Sequence, residues 1–299
     1  MIKVTNVTKK FGEFKALDGL NMNVGRGQIY GLVGPNGAGK STIIRHLTGA
    51  FKQDAGEILI DGQPVYDNVK AKRKIGYIPD DVFYFSQSNM NDMKAYYKAV
   101  YPNFDEKLFD QLKECFTAVD YKKNIRSFSK GMQKQAAFHL AVCARPEILI
   151  LDEPVDGLDP VMRRQIWKIL MNDVAKTGMT VLVSSHNLRE LEDVCDHVGI
   201  MNHGKLMIEK SLSDLQSSVI KIQLAFKEDM PAIPSDVEVL ADNAAGRVHT
   251  LIIRDENKDA EDKIARLNPL FMDLLPLSLE EIFIYELGGE DYAVKDILF

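Results

Sequence analysis

Cysteine is scarce in this chain. The only three, Cys115, Cys143 and Cys195, are widely spaced and form no CxxC pair, which favours buried thiols in a reducing compartment over disulfides or a zinc site. No apolar run approaches the ~18–20 residues that cross a bilayer, and the opening MIKVTNVTKKFG lacks the apolar stretch of a signal peptide. Positive charge is also in deficit: 37 Lys and Arg against 43 Asp and Glu give a formal charge of -6, so no nucleic-acid partner is expected. Internal repeats and low-complexity tracts are missing. What remains is a globular chain with 45% hydrophobic residues, enough for a sizeable core. It is expected to be cytoplasmic, or peripheral on the inner face of the cell membrane.

The 299 residues suit two domains, because compact domains seldom exceed about 250 residues. MIKVTNV and GLNMNVGRGQIY alternate as the strands of a small antiparallel sheet, and GEILIDGQPV predicts a hairpin through Asp61 and Gly62. IYGLV is a buried strand leading into glycines, after which Ile43, Ile44 and Leu47 share one helical face. From about 83 to 145 the pattern becomes helical and aromatic, the mark of an inserted helical subdomain. EILIL and MTVLVSS then resume the strands, separated by a helix from Val161 to a stop at Gly178. Beyond residue 215 the alternation of Ile220, Ile222, Leu224 and Phe226, the strand-like HTLIIRD and a capping box at Ser278 and Glu281 predict a small α+β appendage over 216–299.

GPNGAGKST, Gly34 to Thr42, fits G-x-x-x-x-G-K-[ST] between a strand and a helix. Backbone amides of such a loop turn inward and cradle phosphate at the positive end of the following helix. Gly34, Asn36, Gly37, Ala38, Gly39, Lys40, Ser41 and Thr42 are therefore nucleotide-binding candidates. Lys40 supplies a cation for the β- and γ-phosphates, and Ser41 a hydroxyl for Mg2+. ILILDEP ends a buried run on Asp152 and Glu153, at the carboxyl end of a strand, where α/β sheets place ligands. An isolated acidic pair is usually a solvated turn. Downstream of a phosphate loop, Asp152 becomes a metal candidate and Glu153 a candidate base for the attacking water. His186 ends the next strand and is a second catalytic candidate, placed to hold phosphate and water in register.

Taken in order, GPNGAGKST, FSKGM, ILILDEP, GLDP and SSH resemble the motif set of ABC-type ATPase subunits over residues 1 to about 215. The resemblance implies an α/β P-loop ATPase domain over 1–215, with an antiparallel β subdomain, a RecA-like parallel core and the helical insertion at 83–145. It implies ATP and Mg2+ as ligands. In this family the signature turn acts on the nucleotide of a second subunit, so Ser129, Lys130 and Gly131 of FSKGM are expected to meet a partner's ATP, in a homodimer or a heterodimer. The common family turn is LSGGQ, from which Lys130 and Met132 depart.

Four more positions follow from the resemblance. Phe11 matches the aromatic that stacks on adenine, although a core phenylalanine is nearly as good a reading. Asp159 matches the acid that communicates across the dimer. Asp80 in IGYIPDD stands where the family usually has glutamine, keeping an oxygen ligand for the metal while adding negative charge near the γ-phosphate; slower turnover is expected. Asp156 replaces a more usual serine.

An integral membrane permease is the partner this family implies, and the aromatic stretch FYFSQSNMNDMKAYYKAVY is the candidate docking region. The signature, Asp80 and SLEEIF resemble the bacterial drug-resistance and bacitracin-export branch, and the ending GGEDYAVKDILF is similar to YtrB-type subunits. The expected function is therefore ATP hydrolysis in a transporter, with export as the direction. The alternative is a soluble ABC ATPase acting as a clamp or regulator. Clamps of this type carry tandem cassettes or long insertions, which are missing here, and a non-hydrolysing sensor has little use for Glu153 and His186.

Overall fold

The computed structural model describes residues 1–287 apart from Phe83, Ser86, Asp229 and Glu256. The tail GGEDYAVKDILF lies outside the described residues. The chain forms two compact units, one of Met1–His186 with Val194–Glu209, the other of Asn187–Asp193 with the chain from Lys210 onward.

In the first unit, β1 (Ile2–Phe11) pairs antiparallel with β2 (Phe14–Val24), and a parallel strand, β3 (Ile29–Val33), leads into α1 (Lys40–Leu47). β4 (Ala55–Ile60) returns to the far side of β1 and turns through Asp61 and Gly62, both at positive φ, into β5 (Gln63–Pro64). That is the expected hairpin. A short α2 (Val69–Lys72) precedes β6 (Ile75–Ile78). Three helices follow, α3 (Met90–Val100), α4 (Glu106–Leu112) and α5 (Lys130–Cys143). Helix begins only at Met90, later than the aromatic pattern suggests, because Asn89 and Asp92 form a reciprocal capping box that fixes the start. β7 (Ile148–Asp152), α6 (Pro160–Thr177), β8 (Thr180–Ser185), β9 (His197–Asn202) and β10 (Lys205–Ser211) complete the core.

The central sheet runs in the order β10-β9-β3-β8-β7-β6. β3 is parallel to β9 and β8, β8 to β7 and β7 to β6. β3, β7 and β8 are buried at every residue, which explains their unbroken apolar runs. Their carboxyl ends therefore emerge side by side along one edge. Helix α1 presents Ile43, Ile44 and Leu47 to a single core that also takes Ile2, Leu20 and Ile58 of the antiparallel sheet and Leu32, Ile150 and Leu182 of the parallel one. Burying three such side chains contributes roughly 1.5–3 kcal/mol each. That apolar anchor holds the amino end of α1 against β3.

The second unit holds α7 (Leu212–Ser218), β11 (Val219–Ala225), β12 (Glu238–Ala245), β13 (Val248–Arg254), α8 (Ala260–Ala265), β14 (Phe271–Leu275) and α9 (Leu279–Leu287). Its strands form an antiparallel sheet in the order β12-β13-β11-β14. Ile222, Leu224 and Phe226 bury against Leu251, Ile253 and Ile264, as their alternation requires. Ser278 caps α9 as read: its amide donates to Glu281 Oε2 at 3.0 Å, and its Oγ accepts the Glu281 amide at 3.3 Å. Among the described residues no helix is long and apolar enough to cross a membrane.

Candidate functional site

The glycine-rich turn leaves β3 at Gly34, where a side chain has no room: a Cβ there would lie 2.3 Å from the Met201 carbonyl oxygen. At the other end Gly39 takes φ 105°, a value that L-residues rarely reach, and caps α1 without a side chain. The first amides of a helix have no intrahelical acceptor, and a glycine cap supplies none, so the amino end of α1 keeps its donors and its positive partial charge. Asn36, Gly37 and Ser41 are exposed, Thr42 and Gly39 half-buried, and Ala38 buried, its amide bonded to the Pro35 carbonyl at 3.1 Å.

Lys40 projects back over the turn. Its buried ammonium donates to the carbonyls of Gly34 at 2.6 Å and Pro35 at 3.3 Å, and lies 3.6 Å from Glu153 Oε1. Burial pushes its pKa down, and the Glu153 carboxylate opposes that shift.

Asp152 and Glu153 leave the end of β7, beside β8. Asp152 is buried, and Ser184 Oγ donates to its Oδ1 at 2.5 Å. Glu153 follows with φ 48°, a left-handed backbone that turns its side chain away from the strand. Its amide donates to Ser184 Oγ at 3.1 Å, and its Oε2 lies 2.9 Å from His186 Nδ1. Lys40 at the start of α1, Asp152 and Glu153 at the end of β7 and His186 after β8 are thus joined by direct or shared contacts. Nearby, burial pushes the Tyr77 phenol up to about 12, with the Asp152 charge adding to the effect.

An all-oxygen set of Ser41 hydroxyl, Asp152 and Asp80 suits Mg2+, which is held by one or two carboxylates together with substrate phosphates and waters. Among the described residues no group of three or more His, Cys, Asp or Glu side chains converges as a metal cage. Asp80 pairs with Lys134 Nζ, 3.2 Å from Oδ1, and among the described residues no hydrogen bond links Asp80 to Ser41. Lys134 also donates to the Glu153 carbonyl at 2.7 Å.

Lys134 is a member of this site that the motifs do not reveal, and Ser184 stands within SSH, a motif that assigns it no role. The available signals are a lysine at the border of the buried run QAAFHLAVCA and a serine within the buried strand TVLVSS.

The signature turn is set apart from the phosphate loop. Ser129 caps α5, its Oγ accepting the Met132 amide at 3.3 Å, and Lys130 lines an open cleft of about 210 Å3 together with Asp80, Asp81, Lys134 and Asp156. A Cβ on Gly131 would meet Leu158 Cδ2 at 3.3 Å, so the first turn of α5 packs close to the GLDP segment. No hydrogen bond or ion pair joins Ser129, Lys130 or Gly131 to the phosphate loop among the described residues. Asp159 caps α6, accepting the amides of Val161 and Met162 at 3.0 Å each, a local task additional to the one expected of it. Phe11 is 48% exposed at the end of β1, in edge contact with Phe51, so the core reading of this ring does not hold.

The family profile described as ABC transporter matches residues 17–156. The chain is 29% identical to the ABC transporter ATP-binding protein YtrB of Bacillus subtilis, over 97% of this chain and 99% of that one. It is 32% identical to the bacitracin transport ATP-binding protein BcrA of Bacillus licheniformis, over 97% and 98% of the two chains. The structure of cbiO1 from Clostridium perfringens superposes with a TM-score of 0.60 and 29% identity, over 72% of this chain and 89% of that one. The chain belongs to the ATP-binding proteins of ABC transporters, as an ABC-type ATPase.

Proposed function

We propose that two such subunits close face to face around two ATP molecules and that hydrolysis drives a separate integral membrane permease. The observation that carries this reading is the incomplete site. Lys40, Glu153 and His186 gather at one edge, while among the described residues no hydrogen bond or ion pair joins it to Ser129, Lys130 or Gly131, which have a helix amino end of their own. In the closed pair, the Ser129 hydroxyl and Gly131 amide meet the γ-phosphate on the partner's loop.

Within each half, the α1 amides and Lys40 bind phosphate, and Ser41, Asp152 and Asp80 are the groups that would hold Mg2+. The cation supplies charge neutralisation between the β- and γ-phosphates when bound. Glu153 takes a proton from the attacking water, and His186, bonded to it, keeps that water and the phosphate in register. Phe11 offers a face to the adenine, worth about 1–3 kcal/mol if it stacks as aromatic rings do on bases. Asp159 links the two sites. The 1–215 ATPase domain with its 83–145 insertion performs this chemistry, and the 216–299 domain is accessory. Phe85 and Tyr96, exposed and in edge contact at 5.0 Å, are the candidate docking point for the permease. The likeness to a bacitracin transport subunit favours export, and the membrane subunit selects the cargo.

The test pairs two variants. Glu153→Gln should abolish turnover and trap an ATP-bound dimer on size exclusion, whereas Ser129→Arg should abolish turnover while the isolated chain still binds ATP. Unchanged turnover in Ser129→Arg sinks the cross-subunit reading; unchanged turnover in Glu153→Gln removes that residue as the base. Recovery of a nucleic acid or ribosome in place of a membrane protein would favour the clamp.

A further inference from the structure

We infer that Lys134 is a positioning residue: its ammonium clamps the backbone of Glu153 to the signature helix, and Asp80 is the counter-charge that lets a lysine serve there. This rests on the reading of Glu153 as the base.

Glu153 occupies a left-handed backbone conformation at φ 48°, which is unfavourable for a side-chain-bearing residue and persists only where neighbours hold it. The neighbours are identifiable. On the amide side, Ser184 accepts through Oγ at 3.1 Å and through its carbonyl at 3.3 Å. On the carbonyl side, Lys134 Nζ donates at 2.7 Å. With both flanking peptides fixed, the carboxylate is aimed at Lys40 and His186. Lys134 touches neither of those side chains by hydrogen bond.

A lysine is an expensive choice for this task. Its side chain is 8% exposed, and a buried ammonium needs a carboxylate partner as well as neutral acceptors. Asp80 Oδ1 lies 3.2 Å away, its own side chain 56% exposed, so the pair buries one charge and leaves the other in reach of solvent. The two charges explain each other: a neutral side chain at position 80 would strand the ammonium.

The clamp also gives α5 a line to chemistry in its own subunit. Ser129 and Lys130 sit one turn or so before Lys134 on the same helix. Any displacement of that helix start on meeting a partner's phosphate moves the donor that fixes Glu153.

A set of full-length variants tests this. Lys134→Met removes the donor, Asp80→Asn removes only the counter-charge, and Lys134→Leu with Asp80→Asn removes both and leaves no unpaired charge to unfold the protein. Lys134→Arg keeps a cationic donor. Without nucleotide, amide exchange over 153–156 should quicken in Lys134→Met, in Asp80→Asn and in the double variant, and stay near wild type in Lys134→Arg. With Mg-ATP, kcat should fall about 10–100-fold on loss of the donor, as small misplacements of a reacting group do, while KM moves less than about threefold.

Unaltered exchange over 153–156 in the double variant overturns the clamp. Quickened exchange with undiminished kcat overturns its role in turnover. Because exchange is read without catalysis, failure of Glu153→Gln to stop hydrolysis would reject the base assignment separately.

Discussion

Ser184 is fully buried, and its hydroxyl serves two neighbours at once, donating to Asp152 Oδ1 and accepting the Glu153 amide. Few side chains can do both in so small a volume. Ser184→Ala leaves a buried carboxylate oxygen short of a partner and the Glu153 amide with the backbone carbonyl of position 184 as its remaining acceptor there. A loss of about 1–3 kcal/mol is expected, measured as a lower urea midpoint with an unchanged slope. Turnover should fall as well, since the same hydroxyl fixes the amide side of Glu153. The phosphate loop, Asp152 and Glu153 were legible because their chemistry is written locally, in glycines, a lysine and an acidic pair between a strand and a helix. Ser184 and Lys134 were not, because their roles depend on partners 32 and 19 residues away, respectively, in the chain.

At the scale of elements, helix α5 is organised around His139, fully buried between the rings of Phe109 and Phe116. Its Nε2 lies 2.8 Å from the Phe109 carbonyl, which only accepts, so Nε2 carries the proton and Nδ1 accepts the Tyr121 hydroxyl at 3.0 Å. The neutral ring is thereby satisfied on both sides. Burial pushes its pKa from 6.5 down to about 4.

The sign follows from linkage. Above pH 6.5 the ring is neutral in both states and costs nothing. As pH falls from 6.5 towards about 4 the unfolded chain takes up a proton that the folded chain refuses, so stability is lost across that window, by about 3 kcal/mol at its foot. His139→Gln, which keeps a donor and an acceptor without titrating, should flatten that part of the pH–stability curve in denaturant titrations. Helices α1 and α6 were readable from periodicity, and the cap at Ser278 from its partner three residues on. The late start of α3 was not, because aromatic residues at 84 and 85 imitate a helical pattern that the Asn89 cap overrides.

For the molecule as a whole, the proposed pairing rests on two groups that no hydrogen bond or ion pair joins among the described residues: the edge with Lys40, Glu153 and His186, and the start of α5 with Ser129 and Lys130. If function needs them to meet across a pair, defects in opposite halves should complement. A Glu153→Gln chain has lost its base but keeps a good signature turn, and a Ser129→Arg chain has the reverse. Each alone forms only dead pairs. In a mixed pair one site collects both defects, and the other combines an intact Glu153 edge with an intact Ser129 turn. Mixing the two inactive preparations should therefore restore ATP hydrolysis, with a rate that rises with the total protein concentration, as a dimerising enzyme's must. A mixture that stays inactive although mixed pairs are demonstrated by differential tags would mean that both halves act within one chain, and the packing of α5 against the GLDP segment would then need to open towards its own phosphate loop.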